Sequence, residues 1–255
     1  MTAPRIYAKH EGSNVASAQM DRDLELARAV SDGTYDVAFR TYTWSPWAVS
    51  LGRHQSAEHV QESTIRDLGY HLVTRPTGGR AVLHAEELTY CLAVRTPSAK
   101  ALYSSFHDYL LLALEPLVPG KQLSHTSTPM DLREHYRSGG AFGQACFAAH
   151  APTEIVANGR KVVGSAQRVL PGGVVLMHGS ILCGPAHMQI TSLIRATEQE
   201  REHLKEHLEQ SSVSLQELGC PITDPSEVAN AVHAGISSEV LRSFQPLLHQ
   251  RMTNA

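Results

Sequence analysis

The sequence predicts an α+β fold: a single domain with a mixed, largely antiparallel sheet, flanked by helices and finished by a helical C-terminal cap. Three observations carry this expectation. Short β-like runs are interleaved with amphipathic segments without strict βαβ alternation. The strand-like runs after Gly143 are joined by hairpin signals, Asn158-Gly159 and Pro171-Gly172-Gly173. From about Pro185 the chain becomes polar and helical, so residues 185–255 read as an extension of the domain that spans 1–255.

In chain order, Asn14 to Ser31 carries Val15, Ala18, Leu24, Ala27 and Val30 at near-helical spacing, with Ser13 or Asn14 as cap and Gly33 beyond the end. Tyr35 to Tyr42 and Trp47 to Leu51 read as a hairpin or two neighbouring strands joined through Ser45-Pro46. Ser56 to Leu68 predicts a helix capped by Ser56 and stopped by Gly69, followed by the short strand "YHLVTR". Residues 81 to 83 and "ELTYCLAVR" continue the sheet, and "SAKALYSSFHDYLLLALEPL" makes a long apolar helix closed near Pro116. "TEIVA", "RKVVGSAQRVL" and "VVLMHGSIL" predict a meander. In the tail, Asp224 caps a helix with Pro225 in first position and Glu227 completing a capping box.

Composition bounds the function. With 255 residues, 42% of them hydrophobic, the chain can bury a core without disulfides or metal. A net charge of −3 supplies no basic field for nucleic acid. The 15 histidines are scattered rather than grouped at metal-ligand spacings, so no metal is expected. The 4 cysteines form no CxxC pair and follow no secretory signal, which predicts reduced thiols and a cytoplasmic location. No apolar run approaches the roughly 20 residues that span a bilayer, so no membrane partner is expected.

Three stretches are richer in glycine, serine and charge than structure requires. In "RPTGGRAVLH", Pro76 fixes φ, Gly78 and Gly79 let backbone amides approach a ligand, and Arg75 and Arg80 can pair with its charge; the alternative is a tight turn with two solvated arginines. In "NGRKVVGSAQR", Lys161 shares a strand face with Val163, Ser165 and Gln167, either as an electrostatic element of a site or as a solvated edge lysine. The third stretch is "MHGSIL". Of the thiols, Cys146 in "GQACFAAHAP" is the best nucleophile, since a nearby ammonium favours thiolate, while Cys91, Cys183 and Cys220 read as small core residues.

Taken together, "YTWSPWAVSLGRHQ", "RPTGGRAVLHAEELTY", "NGRKVVGSAQR" and "HGSIL" resemble the lipoate and biotin protein ligase superfamily over nearly the whole chain. Within it, "PTGGRAVLH" followed by "EELTY", with Cys146 fifteen residues before Lys161, looks most like the LipM-type octanoyltransferases. The resemblance implies an acyltransferase that moves octanoate from octanoyl-acyl carrier protein to a lysine of lipoyl domains of 2-oxoacid dehydrogenases or of glycine cleavage H protein. It implies no cofactor. It makes Cys146 the acyl-thioester nucleophile and Lys161 the group that activates it. It assigns the acyl site to Arg75, Thr77, Gly78, Gly79, Arg80, Ala81, Val82, Leu83 and His84, with Ser165, Ala166 and Gln167 and with His178, Gly179 and Ser180.

Chemistry accords with this. Exchange of one thioester for another is nearly isoenergetic and needs no ATP. The acceptor lysine must lose a proton to attack, and Lys161, His84 and water all stand as acceptors for it. Two departures from the family pattern matter: Thr74 stands where a second arginine is common, and Ala85 replaces an aspartate, leaving Glu86 or Glu87 to balance His84 unless the site is tuned to another acyl group. The rival readings are a lipoate-protein ligase using ATP and Mg, an amidotransferase moving octanoyl from H protein, and a non-catalytic acyl binder. Arg75, Arg80, Arg160 and Arg168 are candidates for a local basic patch that docks an acidic carrier protein. A monomer is expected.

Overall fold

A strand that periodicity alone passes over, β1 (Ile6–Asn14), opens the chain and lies parallel to β2 (Val37–Trp44) at the edge of the main sheet. The computed structural model describes residues 3–126, 142–148 and 153–244. Five strands run in the order β1-β2-β6-β11-β10, where β6 is Glu87–Arg95, β10 Val163–Val169 and β11 Val174–Leu182. Every pairing after the first is antiparallel, so the sheet is mixed and mostly antiparallel.

Helix α1 (Ala16–Ser31) covers one face of this sheet. Its buried stripe is Ala16, Gln19, Met20, Asp23, Leu26, Ala27 and Val30, offset from the expected one, and Val15 is left 38% exposed. Asn14 belongs to β1 and does not cap the helix; Val15 occupies that position without a side-chain bond. The opposite face is covered by α3 (Ala99–Leu114), capped by Ser98, with Phe106 and Leu110 against Phe39, Tyr90 and Leu92.

The chain switches sheets at Ser45-Pro46, so β2 and β3 (Ala48–Leu51) form neither a hairpin nor neighbouring strands. β3 sits between β4 (His71–Thr74), to which it is parallel, and β5 (Val82–His84), to which it is antiparallel. The expected helix over 56–68 is broken: Ser56 caps a short turn at Ala57–His59, Val60 pairs with Ile194, and α2 runs only over Glu62–Asp67. Val60 is extended, its backbone engaged in the bridge to Ile194, so the helix cannot run through it.

The expected meander is divided in the same way. β8 (Ile155–Ala157) and β9 (Arg160–Lys161) turn through Asn158 and Gly159 at φ 50° and 77°, the positive pair a type I′ turn requires. They pair with β7 (Leu123–His125) in a third sheet, whereas β10 and β11 complete the first. Beyond Pro185 lie α4 (Ile190–Leu193), α5 (Glu198–Ser211), α6 (Pro225–Gly235) and α7 (Ser238–Ser243). Asp224 caps α6 through the amide of Ser226, but the reciprocal capping box forms at Thr197 and Glu200 on α5. Residues 245–255 of the predicted extension lie outside the described residues. No described helix is long and apolar enough to cross a membrane.

One titratable group inside this packing sets a pH dependence. His107 on α3 is fully buried, donates from Nδ1 to the Tyr103 carbonyl at 2.7 Å, and so presents Nε2 to Ser165 Oγ, also at 2.7 Å. Burial pushes its pKa down to about 4. Between its ordinary pKa and that value the unfolded chain binds the extra proton, so its contribution is present above pH ~6.5 and is lost as pH falls toward ~4, on the order of 3 kcal/mol. Urea midpoints should therefore fall across that window, and His107→Gln should flatten the slope; an unchanged slope would remove His107 as its source.

Candidate active site

The loop between β4 and β5 is built around its first arginine. Arg75 is buried and turns back on its own loop: Nε and Nη2 donate to Gly78 O at 3.1 and 2.8 Å, Nη2 to Arg80 O at 2.8 Å, and Nη1 to Ser50 O and Oγ at 3.0 Å. Gly79 lies at φ +94°, and a Cβ there would come within 2.5 Å of Arg75 Nη2, so the second glycine is required by the arginine beside it. Arg75 thus shapes the loop and is withdrawn from the surface patch expected of it.

Where this loop leaves for β5, its backbone captures the nucleophile candidate. Ala81 N donates to Gln144 O at 2.9 Å and Cys146 N donates to Ala81 O at 3.0 Å, a short parallel bridge between Ala81 and Ala145. Gln55 adds a bond from Nε2 to Gln144 O at 3.1 Å. Cys146 starts the turn Cys146–Ala148 and is half-buried, whereas Cys91, Cys183 and Cys220 are buried. Burial raises the thiols of Cys91 and Cys183 well above the ordinary range, which suits inert core residues.

Lys161 is 1% exposed and pairs with Glu154, 2% exposed, at 2.9 Å. Its Nζ also donates to Cys146 O at 3.3 Å and lies 5.4 Å from the Phe147 ring centroid. The expected face shared by Lys161, Val163, Ser165 and Gln167 does not exist, because Lys161 belongs to β9 and the others to β10. Glu154 makes the link instead, accepting from Ser165 N at 3.4 Å. Charge complementarity, not strand alternation, brings the two stretches together.

A second polar chain lies across the cleft from Cys146. Glu87 Oε1 accepts from His84 Nδ1 at 2.9 Å and from Thr89 Oγ1 at 2.6 Å. This fixes the tautomer, so His84 Nε2 accepts from Ser50 Oγ at 2.8 Å. His84 stacks on Trp44, their centroids 4.1 Å apart, and burial, reinforced by Arg75 and His178 and opposed by Glu87, holds its pKa below the ordinary value. Glu87 is thus the carboxylate that balances His84; Glu86 instead accepts from Ala186 N at 3.1 Å.

The sheet supplies the floor. Register aligns Arg40, Cys91, His178 and Ala166 in one row across the strands and Thr41, Tyr90, Gly179 and Ser165 in the next. Successive rows face opposite sides. Asp23, fully buried on α1, meets Arg40 Nε at 2.6 Å and His178 Nε2 at 2.8 Å in the first row, and Tyr42 Oη at 2.8 Å two residues along β2 on the same face. Burial would raise its pKa, but His178 and Arg40 bring it down to about 2. Asp23, Cys91 and His178 present ligand atoms within 4.8 Å of one another. Both carboxylate oxygens of Asp23 are already engaged, however, and a cation there would face Arg40.

These elements enclose a cleft of about 380 Å³, counting space continuous with solvent. Of the sequence candidates, Cys146, Arg75, Val82, His84, Ser165, Ala166, His178, Gly179 and Ser180 line it. Ala81 and Leu83 lie behind Cys146 in a smaller cavity with Phe147, and Gln167 lines a neighbouring pocket. Thr77 supports His178 Nδ1 at 3.2 Å, while Gly78, Gly79 and Arg80 form the loop itself. A Cβ at Gly179 would overlap Tyr90, which explains that glycine sterically. Sequence reasoning missed Met20, Tyr42, Trp44, Ser50, Thr89 and Gly164 in the lining, and Asp23 and Glu154 behind it. A carboxylate on the apolar stripe of α1 was the available signal for Asp23.

Comparison with known proteins places this geometry among relatives. The family described as lipoyl protein ligase A/B catalytic domain matches residues 16–237. The octanoyltransferase LipM of Kyrpidia tusciae is 32% identical over 93% of this chain and 88% of its own length. That of Staphylococcus epidermidis is 30% identical over 92% and 87%. In structure, the chain resembles a bipartite lipoate protein ligase from Thermoplasma acidophilum, with a TM-score of 0.68 over 96% of this chain and 92% of that one; at 15% identity this likeness shows the fold alone.

The Lys161–Glu154 pair yields a stability test. Glu154→Leu leaves an ammonium buried without its carboxylate and should cost about 3–5 kcal/mol in urea unfolding. Adding Lys161→Met should recover most of that loss. A single variant as stable as the parent would show that the pair does not anchor the turn.

Proposed function

The chain belongs to the lipoyl protein ligase A/B catalytic-domain family, and on that premise we propose that it is an octanoyltransferase working through an acyl-cysteine. The observation that carries the reading is the setting of Cys146. It is the most open of the four thiols and lies on a cleft beside a fixed ammonium–carboxylate pair.

In the proposed first step the Cys146 thiolate adds to the carbonyl of a carrier-bound octanoyl thioester. The tetrahedral intermediate collapses by breaking the bond to the carrier sulfur, which leaves as thiolate and takes a proton from water. Met20, Tyr42, Trp44 and Val82 give the acyl chain its apolar surroundings. Lys161, held by Glu154 and by the Cys146 carbonyl, places positive charge near the developing oxyanion; one such contribution is worth about 3 kcal/mol. In the second step the neutral amine of an acceptor lysine attacks the acyl-cysteine, an amide forms and Cys146 leaves as thiolate. We assign the amine's proton to His84 Nε2 through Ser50 Oγ, because Glu87 keeps Nε2 as an acceptor and burial favours the neutral ring.

The reading extends to octanoyl-acyl carrier protein as donor, to lipoyl domains and glycine cleavage H protein as acceptors, and to catalysis without ATP by a cytoplasmic monomer. It treats residues 1–255 as one domain. In support, the C-terminal part is tied to the nucleophile's turn: Ser211 Oγ donates to Phe147 O at 3.2 Å and His207 Nε2 to Ala148 O at 2.8 Å.

Incubation with octanoyl-acyl carrier protein in the absence of ATP should add one octanoyl group, sensitive to hydroxylamine and absent in Cys146→Ser, visible by intact mass. Modification of lipoyl domains only with free octanoate and ATP would overturn this in favour of a ligase. For the second step, His84→Gln should still acylate but pass the group to a lipoyl domain at least tenfold more slowly in single turnover; equal slowing of both steps would remove His84 as proton acceptor.

A further inference from the structure

A second pocket adjoins the cleft. It lies between the first turns of α3 and strand β10, is bounded by Lys100, Tyr103, Thr153 and Gln167, and shares Ser165 and Ala166 with the cleft that holds Cys146. It encloses about 700 Å³, counting space open to solvent.

Its polar groups are incompletely satisfied. Tyr103 is 9% exposed, and its Oη is buried without a hydrogen bond; Gln167 Oε1 is buried without one as well. Tyr103 lies near enough to Ser165 to sense that hydroxyl, yet Ser165 Oγ is taken by Tyr90 and by His107 Nε2 at 2.7 Å, and no bond of good geometry forms. Native proteins rarely retain such orphans unless something else completes them. Here one orphan is a donor and the other an acceptor. That pair matches an amide-bearing chain, which offers a carbonyl to one and an N–H to the other.

Resting on the acyl-cysteine reading, we propose that this pocket receives the pantetheine arm of the acyl donor. The thioester then lies at the shared Ser165–Ala166 wall, the acyl chain enters the cleft, and the arm's amides run along α3. Tyr103 Oη donates to an amide carbonyl and Gln167 Oε1 accepts an amide N–H. Lys100, exposed at the rim in the first turn of α3, faces the arm's phosphate. This gives the two ends of the donor separate sites and explains why a single cleft need not fit both.

The test compares two donors for Cys146 acylation: octanoyl-pantetheine, which carries both amides, and the octanoyl thioester of ethanethiol, which carries none. The readout is the ratio of their kcat/KM values by intact mass. Tyr103→Phe and Gln167→Leu should each lower that ratio about tenfold, chiefly through KM for octanoyl-pantetheine. Lys100→Glu should weaken octanoyl-phosphopantetheine more than octanoyl-pantetheine. An unchanged ratio, through equal losses on both donors or none on either, overturns the assignment. Octanoyl-acyl carrier protein is the reference donor: no acylation of the parent protein by it would overturn the acyl-cysteine reading, whereas acylation by it and by neither small donor would overturn this assignment alone.

Discussion

The buried pair of Lys161 and Glu154 is the constraint around which the site is arranged. Two charges so far from water are tolerated only when each neutralises the other and their remaining hydrogen-bonding capacity is used. Lys161 spends its capacity on the Cys146 carbonyl, and Glu154 on the amide of Ser165. The backbone of Lys161 carries the constraint further, accepting from Val213 N at 2.9 Å in its bridge to Ser212. One ion pair therefore fixes the turn of Cys146, the edge strand and the residues that follow α5 together.

The opposite wall follows the same logic with neutral groups added. Asp23 gathers Arg40, Tyr42 and His178; Glu87 gathers His84 and Thr89; Ser50 joins His84 to Arg75. Both oxygens of Asp23 and Oε1 of Glu87 accept from donors, which lets an apolar cleft sit against these buried carboxylates. The arrangement also orders the imidazole: a carboxylate on Nδ1 leaves Nε2 free to accept.

Much of the fold was legible in particular residues. The turn at Asn158-Gly159 and the stop at Gly69 follow from local backbone preference, and each stands where expected. What misled was continuity. Tyr35 to Leu51, Ser56 to Leu68 and residues 160 to 170 each read as one local unit, yet each is divided between different packing partners. Local pattern reports which residues want burial and says little about which layer buries them. In the site, Cys146 and the glycine loop stood out by composition, while Glu154 and Asp23 did not, since nothing local marks a carboxylate that will meet a cation far along the chain.

The sequence by itself determined the fold class, the family resemblance and the residue types a thioester chemistry requires, because periodicity, turn chemistry and motif are properties of neighbouring residues. Tertiary structure alone decided that Arg75 serves its own loop, that Glu87 and not Glu86 partners His84, and that Glu154 links Lys161 to Ser165. Those choices rest on distances of a few ångströms between residues remote in the chain. Only the packed protein, with water excluded and every buried charge required to find a partner, sets them.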